Sequence, residues 1–117
     1  MERLLRATVN TWKGLIAATR SEEAFRQELV ALAFAVPLAF VVADDPWKRV
    51  ALIGVVLLLL AVEMLNTAIE KLADRLTTEH DPQIGRVKDM GSAAVGIILL
   101  LAGMIWILAL AERVGLI

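Results

Sequence analysis

The stretch Val50-Ala51-Leu52-Ile53-Gly54-Val55-Val56-Leu57-Leu58-Leu59-Leu60-Ala61-Val62-Glu63-Met64-Leu65-Asn66-Thr67-Ala68-Ile69-Glu70-Lys71-Leu72-Ala73-Asp74 decides the fold. Its apolar run, Val50 to Val62, passes into Glu63, Asn66, Glu70 and Asp74 with no turn signal between. At 100° per residue, offsets of 0, 3, 7 and 11 hold these four side chains within about 80° of one another, so on a helix they make one polar stripe. A charged group at the centre of a bilayer helix costs at least ~2.5 kcal/mol, so carboxylates at this depth mark a protein-lined or water-filled functional site.

Composition bounds the rest. With 117 residues, 59% of them hydrophobic, and a mean hydropathy of +0.73, the chain is a single domain over residues 1–117 and too apolar for an ordinary soluble globule. Twelve basic residues against thirteen acidic ones leave no excess to neutralise phosphates along a duplex, so nucleic acid is not expected as a partner. The absence of cysteine excludes disulfides and thiolate ligands. Residues 1–28 spread five basic side chains among apolar ones and lack the pattern of a cleaved signal, so the N-terminus is expected to be retained.

The clearest span is Ala93 to Ala111, nineteen uncharged residues, or about 28 Å of helix against a hydrocarbon core of about 30 Å. Leu29 to Val42 and Val50 to Val62 are shorter and need polar extensions, the first back through Phe25, the second on through Asp74. The expected spans are residues 25–43, 49–75 and 90–112. Ala43-Asp44-Asp45-Pro46-Trp47-Lys48-Arg49 reads as a tight loop joining the first two as an antiparallel hairpin, with Trp47 suited to the interface. Thr77 to Arg86 reads as a solvent connection. Pro37 is expected to kink the first span. Trp106 suits lipid or subunit packing, and Gly96 and Gly103 suit close helix approach. Nine of the twelve Lys and Arg residues fall in the N-terminal segment and the second connection, which places both in the cytoplasm and the C-terminus outside. Residues 1–21 form a fourth element. Leu5, Val9, Trp12 and Ile16 share one helical face and Arg3, Arg6, Asn10, Lys13 and Arg20 the other, the pattern of an amphipathic helix lying in the interface.

The unusual polar residues gather at one level, the cytoplasmic end of the spans: Glu22, Glu23 and Glu28, then Glu63, Asn66, Glu70 and Asp74, then Lys88 and Asp89. Carboxylates with an amide are hard oxygen ligands of the kind Mg²⁺ accepts beside phosphate and water. A deeper glutamate could act as general base for a hydroxyl presented from the lipid. No Walker, dinucleotide or protein-kinase signature is present. The residues by themselves therefore leave a nucleotide site and a proton or cation path both open.

Three stretches carry a resemblance. Glu22-Glu23-Ala24-Phe25-Arg26-Gln27-Glu28, Val62-Glu63-Met64-Leu65-Asn66-Thr67-Ala68-Ile69-Glu70 with Asp74-Arg75, and Gly85-Arg86-Val87-Lys88-Asp89-Met90-Gly91-Ser92-Ala93-Ala94-Val95 closely resemble the small integral-membrane diacylglycerol kinases of bacteria. Trp12-Lys13-Gly14-Leu15 fits as well. The resemblance covers nearly the whole chain in order and spacing. It implies an inner-membrane enzyme that moves the γ-phosphoryl of MgATP to the primary hydroxyl of diacylglycerol, giving phosphatidic acid. It also implies a homotrimer of three-span protomers whose active sites are shared between neighbouring chains.

Carried over residue by residue, Glu63 resembles the general base, Glu22 and Glu70 resemble the divalent-metal ligands, and Asn66 is expected to support them. Lys88 is expected on the ATP phosphates, with Asp89, Arg3 and Glu79 on the nucleotide side. Trp12, Phe25, Arg26, Glu28 and Ser92 are expected near the lipid. Asn10 departs from the family, whose members often carry an aromatic residue near the nucleotide there, and this puts the adenine contacts in doubt. Asp74 with Arg75 can be read simply as a helix-end cap, and His80 as a surface residue. Two rival functions stand beside the kinase: an undecaprenol kinase of the same fold, and a small proton-coupled transporter using Glu63 as carrier. The second gives no reason for Lys88-Asp89 or Glu22.

Overall fold

The computed structural model describes residues 1–77 and 79–117, so Thr78, in the second connection, lies outside the described residues. Among these residues there are four helices and no strand: α1 (Glu2–Ser21), α2 (Glu23–Val42), α3 (Pro46–Leu76) and α4 (Pro82–Arg113). The expected all-α class is the one the chain adopts, and α2, α3 and α4 are each long and apolar enough to cross a membrane.

Two Asp-Pro pairs start the long helices. The Asp45 carboxylate accepts from the Trp47 N–H at 3.0 Å, and the Asp81 carboxylate accepts from the Gln83 and Ile84 N–H groups at 2.9 and 3.3 Å. Each satisfies orphan donors of the first turn, while the following proline occupies the position where a missing N–H costs nothing. The second pair corrects the expectation of a connection running to Arg86. Asp81-Pro82 is a helix start, so Gly85, Arg86 and Lys88 belong to α4. Between α1 and α2 only Glu22 breaks the helical path, in an extended conformation. There the Arg26 guanidinium donates to the Thr19 and Arg20 carbonyls at 3.1 and 3.0 Å, satisfying acceptors that the end of α1 leaves open. Helix α2 continues through Pro37.

Lengths position the site. Helix α2 has 20 residues, about 30 Å, whereas α3 and α4 have 31 and 32 and exceed a ~30 Å hydrocarbon core by about 17 Å each. The surplus carries the polar ends of α3 and α4 out of the hydrocarbon. Helix α3 packs most extensively on α4 and next on α2, and α1 rests on α2.

The dry core lies at the opposite end from the carboxylates. Ala39, Val42, Ala43 and Leu52 are buried together, with Ile53, Ile105, Trp106 and Ala109 packed against them. Backbone carbonyls here are tied by side chains: Trp106 Nε1 donates to Leu52 O (3.2 Å), Arg113 Nε to Val41 O (3.1 Å) and Arg49 Nε to Ala43 O (2.9 Å). Arg49 also lies over the Phe40 ring, 4.6 Å from its centroid. Lys48 and Glu112 pair across the same end. The apolar stretch of α4 has no buried residue, and Ile97, Leu100, Met104, Ile107 and Leu108 are all exposed. Apolar surface on this scale requires a hydrocarbon surrounding, and the chain is a membrane protein.

Leu52 is the largest side chain that is fully buried. Leu52→Ala is expected to lower stability by about 2 kcal/mol, the low end of the cavity range, because lipid is as apolar as the interior and only packing is lost. Reversible unfolding in detergent would measure it, and a loss under about 0.5 kcal/mol would show that the end around Leu52 is not the packed end.

Candidate active site

The α3 stripe begins with Glu63, seventeen residues after Pro46 and so about 26 Å along the helix, near the inner edge of the hydrocarbon. One turn further, Asn66 is buried to 7% exposure, and its Nδ2 donates to Glu70 Oε1 at 3.2 Å. Its Oδ1 is buried with no donor and abuts Gly91, the one buried residue of α4. Asp74 ends the stripe in an ion pair with Lys88 at 2.5 Å, tying α3 to α4 where both leave the membrane.

Two other carboxylates approach the stripe. Glu28 of α2 has a buried Oε2 with no hydrogen-bond partner, and Glu22 sits at the α1–α2 break. Glu63 is near enough to Glu28, Glu70 and Glu22 for these charges to act on one another. Lys71 of α3 reaches over to Glu22 at 2.7 Å and donates to Ser21 Oγ at 3.2 Å. That hydrogen bond from the ammonium is the main reason the Glu22 carboxyl titrates below the ordinary carboxylate range. Among the described residues, no three His, Asp or Glu side chains converge on a point where they could hold a metal ion by themselves.

A second feature lies around the other side of α3. Between α1, α2 and α3 runs an apolar cleft of about 530 Å³, lined by Leu15, Phe25, Leu29, Leu57 and Met64. Phe25, at 3% exposure, also lines two neighbouring clefts, one continuing up to Glu22 and Lys71 and one opening beside Trp12 and Arg20. Positions 57, 61, 64 and 68 lie roughly 150° around the α3 axis from Glu63, Asn66 and Glu70. Within a single chain, the apolar cleft and the carboxylate stripe therefore occupy different faces of α3.

Of the residues singled out in the sequence, Glu22, Glu28, Glu63, Asn66 and Glu70 are brought together, with Lys88 one turn beyond through Asp74. Phe25 and Trp12 line the apolar clefts, and Arg26 closes the end of α1. Ser92 is exposed beside Gly91. Arg3, Asn10, Glu79 and Asp89 are exposed, and among the described residues their side chains make no hydrogen bond or ion pair with the cluster. Two participants escaped the sequence pattern. Lys71 counted only as a basic residue near a helix end, because its pairing with Glu22 depends on the break between α1 and α2. Gly91 stood unremarked inside a quoted motif. Gly96 and Gly103, expected to allow close helix approach, meet nothing within 4 Å among the described residues, whereas Gly91 meets Asn66 of α3.

Residues 9–110 match the family described as prokaryotic diacylglycerol kinase. The diacylglycerol kinase of Escherichia coli (strain K12) is 45% identical over 113 residues, covering 97% of this chain and 93% of that protein. The diacylglycerol kinase of Pseudomonas aeruginosa is 40% identical over 106 residues (91% of this chain, 86% of the relative), and that of Haemophilus influenzae 37% over 106 (91% and 90%).

The Glu22–Lys71 pair has a pH signature. Because the folded-state pKa of Glu22 lies below its unfolded value, the pair's contribution is complete above the usual carboxylate range and is lost as pH falls through the folded value. Lys71→Met is expected to move the Glu22 titration upward toward the ordinary range, read from the ¹³C shift of its carboxyl carbon. An unmoved midpoint would rule out Lys71 as the cause.

Proposed function

The chain belongs to the prokaryotic diacylglycerol kinase family, and from that membership we propose that it transfers the γ-phosphoryl group of ATP to the primary hydroxyl of diacylglycerol, giving phosphatidic acid and ADP. The observation that carries the assignment is the gathering of Glu22, Glu28, Glu63, Glu70 and Asn66 where hydrocarbon gives way to water. Helices that need no charge have collected it at one depth, the depth at which a lipid presents its hydroxyl and a soluble nucleotide can meet it.

In this scheme the first carboxylate of the α3 stripe, Glu63, accepts the proton of the lipid hydroxyl. The hydroxyl oxygen bonds to the γ-phosphorus as the bond from that phosphorus to the β,γ-bridging oxygen breaks, and ADP leaves with the electron pair. A loose transition state of this kind asks for positioning and charge neutralisation more than covalent help. Lys88, one turn past the stripe, supplies positive charge to the phosphates. Arg3, Asn10, Glu79 and Asp89 are assigned to the nucleotide side, and Trp12, Phe25, Arg26, Glu28 and Ser92 to the lipid.

The donor set fits Mg²⁺. Glu22 and Glu70 offer hard carboxylate oxygens, and beside them Glu28 Oε2 and Asn66 Oδ1 are buried without a donor among the described residues. A pair of carboxylates with the remaining positions left to phosphate and water is the usual Mg²⁺ arrangement, so the lack of three converging side chains is no obstacle. Glu22 and Glu70 would hold the ion, which when bound neutralises charge on the β- and γ-phosphates. Glu22 must then exchange Lys71 for the metal. The separation of the apolar cleft from the carboxylate stripe supports a homotrimer in which the cleft of one copy serves the stripe of its neighbour. The long exposed apolar face of α4 supports the same assembly. Helix α1 is assigned to the cytoplasmic interface of the inner membrane, on the side where ATP is available, with the C-terminus outside.

Purified protein in detergent, given γ-³²P-ATP and Mg²⁺ with diacylglycerol and undecaprenol in parallel, is expected to label phosphatidic acid. Label confined to undecaprenyl phosphate would make it a kinase of the other lipid, and label in neither would overturn kinase activity. Glu63→Gln is expected to lower kcat by at least about a hundredfold, the low end for loss of a general base, without unfolding the protein. Wild-type turnover in that variant would remove Glu63 as the base. Lys88→Met is expected to raise the KM for ATP and leave the KM for lipid unchanged, and the reverse pattern would move Lys88 away from the phosphates.

A further inference from the structure

At the crossing of α3 and α4, Gly91 is buried against Asn66. A Cβ added at Gly91 would overlap Asn66 Oδ1 and stand 3.3 Å from its Cγ, whereas Asn66 Cα lies at 3.9 Å, ordinary van der Waals contact. The obstruction therefore falls on the tip of a side chain and spares the packing of the helices. Nothing donates to Oδ1, so no hydrogen bond holds that oxygen where it is. The other end of the same planar group, Nδ2, donates to Glu70 Oε1 at 3.2 Å. Turning Oδ1 away from α4 would swing Nδ2 out of line with Glu70.

We propose that Gly91 is a positioning residue, whose lack of a side chain sets the orientation of the Asn66 carboxamide and through it the aim of the Glu70 carboxylate. The inference rests on the assignment of Glu70 as a metal ligand, and it adds a residue on a different helix that controls that ligand without touching it. Hydrogen-bond partners of metal ligands orient them, and their loss commonly weakens metal binding ten- to a hundredfold. A glycine needed only for helix approach would behave differently, because alanine there would disturb stability whatever stood at position 66.

The test uses the full-length protein in detergent and Mn²⁺ alone, with the free ion counted by electron paramagnetic resonance. Gly91→Ala is expected to keep its thermal unfolding midpoint, since alanine is the better helix former, and to bind Mn²⁺ about tenfold more weakly. In an Asn66→Ala background, which removes the obstructed group, adding Gly91→Ala is expected to change Mn²⁺ affinity by less than about twofold. The ¹⁵N resonance of the Asn66 side-chain amide should shift in Gly91→Ala and shift likewise in Glu70→Ala, reporting the lost hydrogen bond without any metal. Wild-type Mn²⁺ affinity in Gly91→Ala with an unmoved Asn66 amide would overturn the proposal, and so would an equal loss of affinity on the Asn66→Ala background. Should Glu70→Gln bind Mn²⁺ as tightly as wild type, the ligand assignment fails by itself, and the Asn66 amide in Gly91→Ala still decides whether Gly91 positions that side chain.

Discussion

Everything in this molecule follows from the cost of putting ionised oxygen into hydrocarbon. A carboxylate cannot be left at the centre of a lipid-facing helix, so a chain that needs several must bring them to a depth where water or partner groups meet them. Helix α3 does this by length: its first half is apolar and spans, and its second half projects Asn66, Glu70 and Asp74 beyond. Helix α4 must then be equally long, because Asp74 and Asn66 take their partners from it, Lys88 and Gly91 respectively. Helix α2 has only to cross, and its 20 residues suffice. The same constraint accords with Glu22 standing just before α2 and Glu28 in its second turn.

The two ends of the bundle obey different rules. In lipid the hydrophobic effect does not press helices together, so association depends on close packing and on satisfying backbone and side-chain polar groups. At the end away from the carboxylate stripe, small residues such as Ala39, Ala43 and Ala109 let the helices meet around Leu52, and Trp106, Arg49 and Arg113 each cover a carbonyl. The Lys48–Glu112 pair is about half exposed and adds little to this. At the carboxylate end a polar side chain meets a glycine, Phe25 and Ala73 are buried, and ion pairs open to water add further ties. Close packing around Leu52 sets the register of the helices, and the carboxylate end adds polar contacts and ion pairs.

Much of this was legible in the residues because it is periodic. The α3 stripe, the apolar spans, the tight turn at Asp45-Pro46 and the common depth of the carboxylates all follow from spacing along one element. What could not be read depends on two elements meeting. Lys71 is an ordinary basic residue until a one-residue break at Glu22 brings the carboxylate beneath it. Gly91 differs from Gly96 and Gly103 only in what stands opposite, and no periodicity within α4 records that Asn66 is there. The early start of α4 was misread for another reason: Asp-Pro is both a turn signal and a helix-start signal, and the cap to the Gln83 and Ile84 amides makes it the latter. Arg3, Asn10, Glu79 and Asp89 are assigned by resemblance alone, since nothing in the single chain draws them to the cluster.

On the proposed assignment, depth itself chooses the phosphoryl acceptor. Water is the competing nucleophile for any activated γ-phosphate, and a kinase must keep it from the position in line with the leaving group. Glu63 lies near the hydrocarbon edge, with apolar α3 surface below it and the other polar groups of the α3 stripe above. An alcohol anchored by acyl chains is held at that level, so its hydroxyl approaches from the side that water does not occupy. Anchoring converts an encounter in three dimensions into one at fixed depth and supplies the effective concentration that a soluble alcohol lacks. A site of this kind needs little direct recognition of the lipid head, which accords with an apolar cleft around Phe25 whose polar lining is confined to its ends. Selection between lipid alcohols then falls to how far each can raise its hydroxyl toward Glu63, a property of the membrane and of α3 together.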